Sequence, residues 1–212
     1  MNRNFEKKLY TDGKEGVIGI DEVGRGCIAG PVVCAAVYIP PSAEQLQSVR
    51  DSKRIKKESE REEIYSKLLD IPGIEWYASV IPHDRIDEIN ILNATMLGME
   101  TAGLRVASDR DVDWWFLVDG NRVPKGLTGR ATSVVKGDDT EYVIAAASII
   151  AKVTRDRLMN HYDEIYPNYG FSSHKGYGTK RHVQAINKFG VTDIHRMSFA
   201  PCKNLKNIYS LI

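Results

Sequence analysis

Two short apolar runs in this chain each end in acid and then in glycine. Val17 to Ile20 runs into Asp21-Glu22 ahead of Gly24, and Trp114 to Val118 runs into Asp119-Gly120. Short β-branched and aromatic runs bounded by charge have the length and composition of buried strands. A charge just past a buried strand is often only its solvated end. Two such ends, both opening on glycine, imply more: if the strands are sheet neighbours, three carboxylates meet at one rim. Such a group repels itself unless divalent cations neutralise it, and an all-oxygen donor set favours magnesium or manganese over zinc. Adjacent residues on a regular strand point to opposite faces. Asp21 and Glu22 are therefore expected to share a site only if the strand breaks there, which the glycines just beyond make easy.

The rest of the chain supplies a scaffold for such a rim. Val32 to Ile39 is a second apolar run, joined to the first through a glycine-rich turn and stopped by Pro40-Pro41. Glu58 to Leu69 has helical spacing, with Ile64, Leu68 and Leu69 apolar between charges, and Pro72-Gly73 ends it. Trp76 to Ile81 reads as a strand. Asn90 to Ala107 reads as a longer helix with Leu97, Thr101, Leu104 and Ala107 on one face. Ala131 to Val135 is a further strand, Val143 to Met159 an alanine-rich helix, and Thr179 to Phe189 an amphipathic helix. Strands come first and helices later, with some alternation, and no repeat or linker divides the 212 residues. A single mixed α/β or α+β domain is expected.

Composition excludes several classes. Lys and Arg number 29 against 28 Asp and Glu, so a nucleic-acid binder has to segregate a basic face from an acidic pocket. Three cysteines, Cys27, Cys34 and Cys202, cannot all pair and show no C-x-x-C spacing, which argues against a secreted disulfide framework and against zinc. Cys27 and Cys34 read as small packing residues. Met1 to Gly16 is polar and unlike a signal peptide, and the longest apolar run, Val143 to Ala151, is too short to span a bilayer. The cytoplasm is the default location.

Further candidates surround the rim. Asp138, in Lys136-Gly137-Asp138-Asp139, is either a fourth ligand or an anion placed at a helix N-terminus; Asp139 and Glu141 are weaker candidates. Asp51-Ser52-Lys53-Arg54 with Lys56-Lys57 reads as a phosphate contact or as a solvated loop. In Ser172 to Thr179, Tyr177 lies between glycines with Lys175, Lys180, Arg181 and His182 nearby, a pattern that suits stacking on a sugar or base and equally an ordinary loop anchor. His174, His182 and His195 are each proton carriers or hydrogen-bonding structural residues.

These residues also carry a resemblance. Gly19-Ile20-Asp21-Glu22-Val23-Gly24-Arg25-Gly26, followed by Ala29-Gly30-Pro31-Val32-Val33, resembles the opening motif of ribonuclease HII. Asp51-Ser52-Lys53, Val118-Asp119-Gly120, Lys136-Gly137-Asp138, Ala145 to Asp156, His174 to Thr179, His195-Arg196 and Ser198-Phe199 agree in order, so the resemblance runs from about Val17 to Pro201. It implies an α/β, ribonuclease H-like mixed β-sheet flanked by helices, with a helical C-terminal part. That is one catalytic domain over 1–212, its core at about 16–165 and its C-terminal part at about 166–212. It implies that Asp21, Glu22, Asp119 and Asp138 hold two Mg2+ or Mn2+ ions, Asp21 bridging both, ~3.5–4 Å apart in such sites. Gly24, Arg25 and Gly26 would read the ribose 2′-hydroxyl through backbone atoms, Tyr177 would pack on the sugar at the RNA–DNA junction, and Lys53 would lie near the phosphate backbone. Arg25 favours the HII over the HIII type, and no additional substrate-binding domain precedes the motif.

The implied activity is hydrolysis of the RNA strand of RNA–DNA hybrids and cleavage 5′ of ribonucleotides embedded in duplex DNA, leaving 5′-phosphate and 3′-hydroxyl. The implied partners are those nucleic acids, with a monomer, no membrane and no clear sliding-clamp motif after Pro201; protein partners are left open. Departures from the family pattern are Cys27, Cys34 and Asp139-Thr140-Glu141, whose added negative charge would either weaken substrate binding or tighten metal binding. Competing readings are a non-catalytic nucleic-acid-binding module and another ribonuclease H-like nuclease. A nucleotide-binding loop is poorly supported, because Gly24-x-Gly26 lacks the Walker spacing.

Overall fold

The structure is a computed structural model that describes residues 3–49, 52, 55–108 and 111–204. Lys53 lies outside the described residues. Helix α1 (Asn4–Thr11) leads into β1 (Gly16–Val23) and β2 (Val32–Tyr38); α2 (Glu58–Leu69), β3 (Glu75–Ile81) and α3 (His83–Ala107) follow. Then come β4 (Trp114–Asp119), β5 (Ala131–Val134), the short α4 (Gly137–Thr140), the long α5 (Tyr142–Ile165), α6 (Phe171–His174) and α7 (Lys180–Phe189). The strands form one sheet in the order β3-β2-β1-β4-β5. β1 pairs antiparallel with β2 and parallel with β4, β2 pairs antiparallel with β3, and β4 pairs parallel with β5. The chain thus has the expected mixed sheet flanked by helices.

Alternation along the central strands sorts the core into two layers. Val17, Val33, Ala35, Val37 and Leu117 face α2 and α5, whereas Ile18, Ile20, Ala36, Phe116 and Val118 face α3. A third cluster, with Ile28, Met159, Phe171, Ile186 and Ile194, docks the C-terminal part against the end of α5. Full burial of such side chains contributes about 1.5–3 kcal/mol each. Among the described residues no helix is long and apolar enough to cross a membrane.

Expectations for two elements, α3 and β1, are corrected. The face of α3 turned to the sheet is not the one carrying Leu97, Thr101, Leu104 and Ala107: Leu97 and Leu104 are exposed, Ala107 is half-buried, and Ala94, Gly98, Met99, Ala102, Gly103 and Val106 are buried. Small residues win that face because the helix lies close. A Cβ on Gly98 would stand 2.7 Å from Cys34 Sγ, and one on Gly103 2.8 Å from Ile20 Cδ1. The helix also starts earlier than Asn90, which has φ 64° and kinks it; the Asn90 side chain accepts the Asn93 N–H at 3.0 Å and starts a new segment.

The other correction concerns β1. The strand does not break at Asp21-Glu22: Asp21 pairs with Ala35, Glu22 with Cys34 and Val23 with Val33 on an unbroken ladder.

Candidate metal centre and its flanking turn

The neighbour of β1 changes instead. Parallel pairing of β1 with β4 ends at Ile20 and Val118. Beyond it Asp21 continues beside β2, and Asp119 continues beside Val134 of β5. The carboxylates occupy this fork. Asp21 turns to the α5 face, towards Ser148, which eases its charge slightly. Glu22, on the other face, lines a small cleft with Arg25, Met96, Met99 and Asp119. Its longer side chain lets it return to the rim, so that ligand atoms of Asp21, Glu22 and Asp119 all lie within 4.8 Å of one another.

Asp21 carries the highest charge tension. It is 2% exposed. Burial, then the neighbouring Glu22 and Asp119 and finally Asp138, push its carboxyl well above the usual range. Oδ1 accepts the Glu22 N–H at 2.7 Å, while Oδ2 is buried with no hydrogen-bond partner among the described residues. A buried, unpartnered carboxylate oxygen among other carboxylates fits a hard divalent cation. Arg25 leans over from the turn to Glu22 at 3.3 Å, half exposed.

Asp138 reaches the rim through Asp119. Lys136 adopts a left-handed conformation, and Asp119 Oδ1 then accepts the N–H of Gly137 at 2.7 Å and of Asp138 at 3.4 Å. One carboxylate thereby holds the short helix that carries the next. Asp138 is buried beside the three-residue set rather than within its 4.8 Å span, and is close enough to raise Asp21. Glu141 takes no part in this group. It is buried against α1, accepts the Phe5 N–H at 3.3 Å, and with Glu6 has its carboxyl raised by burial. The added charge of the Asp139–Glu141 stretch is partly spent on anchoring the N-terminal helix.

The turn between β1 and β2 is held from inside by two fully buried arginines. Arg196 donates to the carbonyls of Gly24 at 2.7 Å, Arg25 at 3.0 Å and Gly30 at 2.9 Å. Arg155 donates to Pro31 at 2.9 Å, Ala29 at 3.2 Å and Lys175 at 2.7 Å. Carbonyl dipoles solvate both guanidinium groups in place of carboxylates, and burial brings Arg196 down to about 10. Gly24 has φ 96°, and a Cβ there would collide with the Arg155 side chain. No described hydrogen bond engages the amides of Arg25 and Gly26.

Tyr177 borders this turn. Its backbone bridges Cys27, and its ring edge stands 4.0 Å from where a Cβ on Gly26 would be. Tyr177 is 44% exposed and lines a groove of about 590 Å³ together with Ser52, Lys56, Lys152, Ser173 and Thr179. Lys175 is 8% exposed and paired with Glu58 and Asn160, so it serves the wall of the groove rather than its surface. His174, His182 and His195 form one buried cluster away from the carboxylates, and burial lowers all three. They are structural residues rather than proton carriers.

Ser148, Arg155 and Arg196 had no individual role in the sequence. Ser148, beside Asp21, shares a 2.8 Å hydroxyl hydrogen bond with Ser52. The signal for two of them was there: Ser148 and Arg155 are seven residues apart, on one buried stripe of α5.

Comparison with known proteins gives the family. The family profile "Ribonuclease HII" matches residues 18–202. Ribonuclease HII of Endomicrobium trichonymphae is 41% identical over 95% of this chain and 93% of its own length. The Clostridioides difficile (strain 630) protein of that name is 44% identical over 96% of this chain and 75% of its own. Ribonuclease H2 from Pyrococcus horikoshii OT3 superposes with a TM-score of 0.69 at 25% identity, covering 92% of this chain and 99% of that one. The Archaeoglobus fulgidus ribonuclease HII, solved in a complex with PCNA, gives 0.72 at 25% identity over 87% and 95%. With the family profile matched across both the carboxylate rim and the arginine-held turn, the chain belongs to the ribonuclease HII family and is a metal-dependent ribonuclease H hydrolase.

Proposed function

We propose that this enzyme cuts the RNA strand of RNA–DNA hybrids and cuts 5′ of single ribonucleotides in duplex DNA, leaving 5′-phosphate and 3′-hydroxyl ends. The observation that carries the proposal is the buried, unpartnered Asp21 Oδ2 inside a set of carboxylates spanning 4.8 Å, next to the Gly24–Gly26 turn. Asp21, Glu22, Asp119 and Asp138 would hold two Mg2+ or Mn2+ ions. When bound, the ions supply charge neutralisation at the scissile phosphate and acidity to a coordinated water. The protein's own groups do the rest. Asp119 holds Asp138 in place through the α4 amides, and the Glu22 N–H fixes the Asp21 carboxyl through Oδ1.

The carbonyls of Gly24 and Arg25 are committed to Arg196, which leaves the amides of Arg25 and Gly26 for a sugar hydroxyl. A 2′-hydroxyl can fill that contact and a deoxyribose cannot, so DNA would leave polar groups unpaired. Tyr177, beside Gly26, would pack on the adjoining sugar, and Lys53 would contact the phosphate backbone. Residues of the core at about 16–165 and the C-terminal part at about 166–212 act together as one catalytic domain, since Tyr177 and Arg196 both serve the turn.

The test is incubation with a DNA duplex carrying one ribonucleotide, with Mg2+, with Mn2+ and with chelator. Metal-dependent cleavage 5′ of the ribonucleotide is expected. Equal cleavage of the all-DNA duplex would point to a general nuclease, and binding without cleavage to a non-catalytic module.

A further inference from the structure

The buried histidines are wired in one direction. A backbone N–H can only donate, so Thr192 N, 2.8 Å from His195 Nδ1, leaves that nitrogen unprotonated and puts the proton of neutral His195 on Nε2. His195 Nε2 lies 3.0 Å from His182 Nε2, which must therefore accept. His182 then carries its proton on Nδ1 and donates it to the Tyr177 carbonyl at 2.9 Å. Both rings are at most 1% exposed. The third ring, His174, is fixed separately: it accepts the Gly176 N–H and donates to the Tyr169 carbonyl, and it stacks on His182 at 4.3 Å.

The wire spans the segment that carries the sugar-reading turn. Cys27 to Gly30 lies between two flanking strips: Ile28 N donates to the Gly176 carbonyl on one side, and Arg196 N donates to the Ile28 carbonyl on the other. Those two strips are the ones the His195–His182 pair ties together, and the tie ends on Tyr177. We propose that His182 and His195 are positioning residues for substrate discrimination: their directed hydrogen-bond pair sets the Tyr177 backbone, and through it the ring, against the Gly24–Gly26 turn. The inference rests on the assignment of Tyr177 to the sugar contact.

A double-mutant cycle on cleavage of a duplex with one ribonucleotide tests it, with kcat and KM measured at saturating Mg2+. His182→Phe keeps a ring in the cluster and removes the donor to Tyr177; kcat/KM is expected to fall about tenfold, mostly in KM. His182→Asn, whose amide nitrogen stands where Nδ1 did, is expected to restore most of that loss. In a Tyr177→Ala background His182→Phe is expected to change nothing further. If Tyr177→Ala alone leaves kcat and KM unaltered, the sugar assignment fails and this inference fails with it. If Tyr177→Ala impairs cleavage and the His182→Phe loss adds in full, the sugar assignment stands and the positioning role is overturned. Should His182→Phe not fold, nitrogen-15 NMR of the histidine-labelled parent decides. Neutral Nδ1–H His182 and Nε2–H His195 at pH 7 support the wire; the opposite tautomers or a charged ring overturn it.

Discussion

Replacing the central carboxylate is expected to stabilise this enzyme while destroying its activity. Asp21→Asn keeps the shape of the side chain. Oδ1 still accepts the Glu22 N–H, and the new amide takes the position of the unpartnered Oδ2, from which it can donate to neighbouring carboxylates. Two unit charges 4.8 Å apart repel by ~3.5 kcal/mol at an effective dielectric of about 20. Because the raised Asp21 carboxyl already evades part of this by holding its proton, the net gain is about 1–3 kcal/mol, or roughly 3–9 °C for a domain this size. Thermal melts at pH 7.5 in chelator and in 10 mM Mg2+ read both halves of the effect. The parent should gain stability with added metal by mass action, and the variant should gain much less. A variant that melts below the parent in chelator, or that responds to Mg2+ as fully as the parent, would refute the view of Asp21 as a strained metal ligand.

The histidine pair makes a pH prediction. Burial takes His182 and His195 to about 4 from an ordinary 6.5, so the unfolded chain binds more protons between those values and stability falls as pH falls through that window. From pH 6.5 to 5 the parent should lose about 2 kcal/mol more than a His195→Gln variant in urea titrations, and equal losses would contradict it. Gly24→Ala combines a forbidden φ with a clash on Arg155, so cleavage of a single ribonucleotide should fall at least tenfold, while Mg2+ still raises the melting temperature. Glu141→Ala removes the buried acceptor for α1, and should lower the melting temperature by a few degrees with Mg2+ affinity, read by titration calorimetry, unchanged. A large change in Mg2+ affinity would instead place Glu141 in the metal site.

The sheet and most helices were legible because their signals are local. β4 is an unbroken apolar run, α2 matches its expected bounds, and the acid-glycine ends of β1 and β4 do become one rim. Elements governed by close approach were not. The buried face of α3 is made of glycine and alanine, so the larger Leu97 and Leu104 misdirect a reading based on hydrophobicity. The meeting of Asp21 with Glu22 was expected to require a broken strand, whereas a change of strand neighbour suffices; pairing partners are not written in a run of residues. Arg155 and Arg196 look like surface charges until the fold brings main-chain oxygens to them. Glu141 sits near Asp138 in sequence, yet its burial against α1 removes it from the rim.

The two guanidinium anchors give the molecule a division of risk. Arg155 rises from the helix behind the sheet and Arg196 from the last docked segment, and both end on the same short bend. The seam between the two parts of the chain and the turn proposed to read the sugar are therefore one object. Damage along that seam should register first as poor judgement, with deoxyribose tolerated and ribose overlooked, while the acid rim a few residues away keeps its ability to cut.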